Sequence, residues 1–368
     1  MRARIERLGP RPWSELVAAA NDAFYDETGG GAGRGGGDFV TSPEVGPLFG
    51  AVVAQTVDDW WQATGSPDVA VVVEAGAGPG TLARSVLAAR PACAPALRWV
   101  LVERSPGQRA RHGRYLSLEE PAVALPPDPA DDSAVPAPTP APDGPIVVSL
   151  AALPRLARPC LVLANELLDD LPFDLWEARA GRWGEVRIGL AGAALEEILV
   201  ATEPPTWLPP ADDLPDGARV PVQAAAGAWL RDALALARPE QGGRVVALDY
   251  CSTTPELARR PWPDWVRTYA AHGRAGHPLV EVGTANITCE VAIDQLGRVR
   301  TPDADVAQCD WLGAHGLAAL VAEAEAVDPA RVVAGELAAI RLRSRLTEAA
   351  ALTDPAGLGA FRVLQWGA

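Results

Sequence analysis

The stretch from Val69 to Thr81, VAVVVEAGAGPGT, limits what this chain can fold into more than any other. An apolar β-branched run leads into an acid, Glu74, and then into glycines at Gly76, Gly78 and Gly80. Such a run reads as a strand buried on both faces. The glycines mark a tight strand-to-helix turn, because Leu82 to Ala89 carries apolar residues at helical spacing. The turn therefore lies at a helix N-terminus, where unpaired backbone N–H groups can receive an anionic or polar ligand and glycine keeps nothing in its way.

Spacing narrows the ligand. A dinucleotide fingerprint needs its third glycine where Thr81 stands, and Pro79 and Gly80 crowd the turn. The arrangement E-x-G-x-G-x-G instead resembles the first motif of class I S-adenosylmethionine-dependent methyltransferases. About 27 residues after Gly76, a second apolar run (Trp99 to Val102) ends in Glu103. An acid at the tip of the second strand can accept hydrogen bonds from both ribose hydroxyls. The competing reading is an ordinary tight turn with two solvated acids.

A third stretch, CLVLANELLDDLPFDLW from Cys160 to Trp176, is also informative. Its buried-strand run, Leu161 to Ala164, stops at Asn165 and Glu166, with Asp169 and Asp170 close behind. In open parallel sheets the ligand crevice lies beyond the carboxyl ends of the strands, so Asn165 and Glu166 are expected to share a crevice with the glycine turn. Carboxylates there can hold a cationic nucleophile or take its proton. Capping of the next turn is the structural alternative.

Upstream, Trp13 to Tyr25 reads as an amphipathic helix with Ser14 as its cap, and Gly29 to Gly37 is nearly pure glycine. In GDFVTSPEVGPLFG (Gly37 to Gly50), Thr41 or Ser42 can cap a helix beginning at Pro43, with Glu44 in its first turn. This layout suits a lid over a ligand, or equally a capped surface helix. Val45 to Trp61 continues as a long helix.

Downstream, Arg104 to Tyr115 holds a helix, and Pro121 to Pro145 reads as an exposed disordered loop. Residues 182 to 200 form a hairpin, Ala224 to Ala237 a helix and Arg244 to Tyr250 a strand. Later strands span Glu290 to Ile293 and Phe361 to Gln365. Helices span Trp311 to Glu325 and Ala330 to Ala351.

The chain has 368 residues and a net charge of -15, which argues against binding DNA or another phosphate backbone. All 32 basic residues are arginine. Five single cysteines without a C-x-x-C pair suit reduced thiols in a cytoplasmic protein, and neither they nor the four histidines have metal-ligand spacing. No apolar stretch is long enough to span a membrane.

Taken in order, GDFVTSPEVGPLFG, VVVEAGAGPGTL, LVERSP, ANELLDDLP, VALDY, RTYAAH and DPAGLGAFRVLQWG resemble the MidA-like methyltransferases across nearly the whole chain. That family includes the mitochondrial protein arginine methyltransferase that assists complex I assembly. The resemblance implies a class I, Rossmann-like α/β fold: a seven-stranded, mainly parallel sheet, an N-terminal helical extension and lid (residues 1–68), a core from residue 69 to 180, and a remainder with inserted substrate-side segments (181–368). It implies S-adenosyl-L-methionine as methyl donor and a protein arginine as acceptor.

By position, Gly76, Gly78, Gly80, Glu74, Glu103 and Asn165 would contact the donor. Glu166, Asp169 and Asp38 would serve catalysis, and Thr41, Pro43 and Glu44 the lid, with no metal. A homodimer is compatible with this picture. Cys251, Glu290, Ala292 and Pro221 depart from the family pattern, in a region expected to contact the acceptor. Methylation of a small molecule or RNA, and a donor-binding assembly factor without turnover, are the alternatives.

Overall fold

The computed structural model describes residues 1–26, 40–125, 144–270, 273–280 and 282–367. Its centre is a seven-stranded sheet: β1 (Ala70–Ala75), β2 (Leu97–Val102), β3 (Ile146–Leu150), β4 (Leu161–Asn165), β5 (Arg244–Asp249), β6 (Ala304–Ala307) and β7 (Arg362–Trp366). The spatial order is β6-β7-β5-β4-β1-β2-β3. Every neighbouring pair is parallel except those involving β7, which runs antiparallel to both β5 and β6. This is the mainly parallel class I methyltransferase sheet. The chain order reverses at β1, so a crevice opens beyond the carboxyl ends of β1 and β4.

All six residues of β1 are buried, as a β-branched run covered on both faces must be. Successive side chains point to opposite faces, so Val72 joins one core and Val71 and Val73 the other. The helices that bear on the site are α1 (Trp13–Asp26), α2 (Ser42–Val45), α3 (Pro47–Ala63), α4 (Thr81–Ala88), α5 (Pro106–His112) and α6 (Ala224–Ala237). Helices α3 and α4 cover the Val72 face, with Phe49, Val52 and Val86 in one buried cluster with Trp99 and Leu161. Helix α6 covers the other through Leu230 and Ala233.

A second, antiparallel sheet pairs Arg182–Ala191 with Asp174–Arg179, Ala194–Val200 and Arg11–Pro12, and its apolar side packs on α1 through Trp13, Leu16 and Val17.

Several boundaries differ from expectation, each for a local reason. Helix α1 begins at Trp13, so Ser14 is already inside it, and the Ser14 amide donates to Asp174 Oδ1 at 3.0 Å. The helix expected from Val45 starts at Pro47 instead, because the chain breaks at Gly46, where a Cβ would fall 2.3 Å from the Glu348 carboxyl carbon. Glu348 reaches in from the helix Arg345–Thr353 to accept the Leu48 amide at 2.9 Å. Helix α5 is shorter than Arg104 to Tyr115, with the Ser105 hydroxyl capping the Gln108 amide.

The helix expected over Trp311 to Glu325 is two helices split at Gly316 (φ +88°), and the one over Ala330 to Ala351 is three, with a break at Gly335 (φ +79°). Pairing near Glu290 involves Asn286–Cys289 and Val291–Ala292. Pro121–Ala124, expected in a loop, forms a short helix with Ala124 buried, and residues 126–143 of that loop lie outside the described residues. The helix Arg2–Leu8 was not anticipated. The glycine arm and Asp38 also lie outside the described residues. Among the described residues no helix is long and apolar enough to cross a membrane, and no cluster has the make-up of a metal site.

Candidate functional site

The glycine turn is fixed from two sides. The amides of Gly76 and Ala77 both donate to the Val102 carbonyl at the end of β2, at 2.9 and 3.1 Å. Gly76, Gly78 and Gly80 all take positive φ (+69°, +51° and +82°), a conformation that costs a residue with a Cβ about 1–2 kcal/mol. A Cβ on Gly76 would also meet Leu167 Cδ1 at 2.8 Å, whereas a Cβ on Gly78 would meet nothing within 4 Å and would point into open space.

Glu103, just past the tip of β2, accepts the Gly78 amide on Oε2 (2.9 Å) and the Ser105 amide on Oε1 (2.8 Å). Burial raises its carboxyl above the ordinary range, and these two amides pull it back. Beneath the turn, Glu74 Oε2 accepts the Trp99 indole N–H at 2.7 Å. Burial pushes the Glu74 carboxyl up to about 8, against the Trp99 and Ala83 hydrogen bonds, which favour the charged form. Glu74 thus braces the turn from within and also lines the cavity.

Glu166 follows β4 in a left-handed conformation (φ +51°), with its amide donating to the Leu248 carbonyl at 2.8 Å. Its Oε1 accepts the Ser42 amide (2.9 Å) and Asn165 Nδ2 (3.1 Å), and among the described residues Oε2 takes no hydrogen bond. Burial pushes this carboxyl up to about 8; the nearby Asp169 charge adds to the rise and the Ser42 amide opposes it. Asn165 Oδ1 is buried and takes no hydrogen bond among the described residues.

Helix α2 ties the two halves together, since Ser42 binds Glu166 while Glu44 Oε1 accepts the Thr81 hydroxyl at the start of α4, at 2.6 Å. Thr41 occupies the cap position of α2 without a side-chain cap bond. The Ser42 hydroxyl donates to Gln308 Oε1 instead.

The two aspartates of the Asp169-Asp170 pair part company. Asp169 turns away from the cavity, accepts the Tyr250 hydroxyl at 2.7 Å and sits at about 6, raised by burial. Asp170 faces the cavity and is held on Oδ1 by Asn286 Nδ2 (2.7 Å) and on Oδ2 by the Tyr25 hydroxyl. The sequence offered no means to choose between adjacent aspartates, and Tyr25 and Asn21 were missed as site residues because only tertiary contact brings them to Asp170 and the cavity. The departures from the family pattern, expected near the acceptor, lie outside the cavity lining. Glu290, for one, is paired with Arg260 and Arg267 at 2.7 and 2.8 Å.

These groups surround a cavity of about 360 Å³, within the roughly 300–1,000 Å³ of small-molecule sites. Its lining includes Thr41, Pro43, Glu44, Glu74, Gly76, Gly78, Glu103, Asn165, Glu166 and Asp170. Open space at Gly78, spare lone pairs on Glu103 and the orphaned Asn165 Oδ1 fit a ligand rich in donors with a polar amino-acid end.

Sheet order and glycine turn together define a class I methyltransferase. The model of an S-adenosyl-L-methionine-dependent methyltransferase family matches residues 52–310, so the chain belongs to that family and S-adenosyl-L-methionine is its methyl donor. The chain is 29% identical over 313 residues to the mitochondrial protein arginine methyltransferase NDUFAF7 homolog of Drosophila melanogaster, covering 79% of this chain and 67% of that one. A Burkholderia thailandensis crystal structure with S-adenosyl-homocysteine bound superposes with a TM-score of 0.77 at 24% identity, over 100% of this chain and 90% of the other. A native crystal structure from the same organism gives 0.73 at 24% identity and the same coverage. Both share the fold.

Proposed function

We propose that this methyltransferase acts on the guanidinium group of a protein arginine. The observation that carries the reading is a set of acceptors, Glu166 Oε2, Asn165 Oδ1 and Asp170, lining the same cavity as the glycine turn. A guanidinium offers only donors and stays protonated in water, so a site that uses it as a nucleophile must orient it and receive its proton. The bound donor supplies a methyl group on a sulfonium sulfur.

The chain's own work is alignment and exclusion of water. The N-terminus of α4 beside the glycine turn and the carboxylate of Glu103 hold the donor, while Glu166 and Asp170 orient the acceptor. Glu166 Oε2, with a carboxyl near 8, takes the proton that the guanidinium releases. The name of the fly relative supports the same acceptor.

Incubation of the protein with labelled donor and cell extract tests the proposal. Label recovered as methylarginine in a protein hydrolysate is the expected result. Label only in low-molecular-weight product, or in no protein band despite donor binding, overturns it.

A further inference from the structure

His112, the last residue of α5, is fully buried and lies behind the glycine turn, outside the cavity lining. Its Nε2 is 2.7 Å from the Gly78 carbonyl and its Nδ1 2.8 Å from the Ser149 hydroxyl on β3. A carbonyl can only accept, so Nε2 carries the proton and Nδ1 accepts from Ser149. Burial keeps the ring below its ordinary pKa, consistent with this neutral form.

The carbonyl in question belongs to a peptide that cannot donate. Pro79 follows Gly78, so the Gly78–Pro79 peptide has no N–H, and whichever way it turns it presents only an oxygen or nothing. Gly78 itself is conformationally free, with φ +51° and no atom within 4 Å of a Cβ position. Untethered, its carbonyl could swing toward the cavity, where it would repel the carboxylate of a bound amino acid. Its amide is pinned in the opposite sense, to Glu103.

We propose that His112 is a positioning residue for donor binding: it holds the Gly78 carbonyl away from the cavity, so that no carbonyl oxygen at this point of the turn meets the donor's methionine carboxylate. This rests on the reading that the glycine turn grips the methionine portion of the donor.

Calorimetric titration with S-adenosylmethionine tests it, alongside melting curves taken without donor. His112→Leu should raise the dissociation constant about tenfold, the order expected for one buried hydrogen bond lost at a carbonyl. His112→Gln can still donate to the carbonyl and should restore affinity to within about threefold. Ser149→Ala, which frees the ring to rotate, should weaken binding by about threefold and keeps the test open if His112→Leu does not fold. In turnover, the donor KM should rise while kcat changes little.

Equal affinity in His112→Leu and wild type overturns the His112 assignment alone. So does equal loss in His112→Leu and His112→Gln, which marks a packing role. Absence of donor binding by the wild type overturns the site reading as well.

Discussion

The carboxylate of Glu103 and the amide of Gly78 meet at 2.9 Å, joining the tip of β2 to the middle of the glycine turn. With Ser105 on its other oxygen, Glu103 uses two of about four lone-pair sites and has room for two ribose hydroxyls. Glu103→Ala should therefore remove a ligand for the donor and loosen the turn at once. Donor affinity measured by calorimetry should fall at least about a hundredfold, the scale of two charge-assisted hydrogen bonds. Unchanged affinity would show that the ribose lies elsewhere.

Glu166 should set the pH dependence of turnover. Its carboxyl is pushed up to about 8, so the ionised fraction that can orient a cation grows as pH rises through that value. At subsaturating acceptor the rate should climb from pH 6 to a plateau above about 8, and at saturating acceptor the midpoint should move lower, since a bound cation stabilises the charge. Glu166→Gln should lose roughly 10²-fold and give a flat profile, with donor affinity nearly intact. A wild-type slope surviving in the variant would assign the titration to another group.

Glu74 makes a separate prediction about stability. Its folded value of about 8 lies above the unfolded carboxyl value near 4.3, so between the two the folded state binds more protons than the unfolded. Its contribution is complete below the unfolded value and is lost as pH rises toward about 8. Melting temperature should thus fall with rising pH across this window. Glu74→Gln keeps an acceptor for the Trp99 indole and should flatten that fall.

Gly50 is where α3 and α4 touch. A Cβ there would lie 2.3 Å from Ser85 Cβ and 2.9 Å from the Ser85 backbone carbon. Gly50→Val should cost about 3 kcal/mol or more through overpacking, read as a lower denaturation midpoint with unchanged slope. A neutral result would mean that the helices can part, and that the packing behind the turn is looser than the contact distances imply.

Local sequence settled much of this protein. The β-branched run before Glu74 and the glycines after it specified a buried strand, a positive-φ turn and a helix, because each depends on a few consecutive residues. Helix α6 was read to the residue for the same reason. Motif spacing likewise led to the methyltransferase family whose model matches residues 52–310.

What the sequence left open depended on contacts between distant segments. Glu166 owes its environment to Ser42, 124 positions away, and helix α3 begins only after Gly46 because Glu348, 300 positions from Leu48, fills the space and caps the first turn. Asp169 and Asp170 are neighbours in sequence, yet one faces Tyr250 and the other the cavity, a difference fixed by the path of the chain beyond β4 and by Asn286 and Tyr25. Burial of Glu74 and Glu166, and with it their raised carboxyl values, exists only once the sheet and helices have closed around them. Short-range spacing thus carries backbone geometry and chemical inventory, while desolvation and the choice of partner for each charge arise from packing alone.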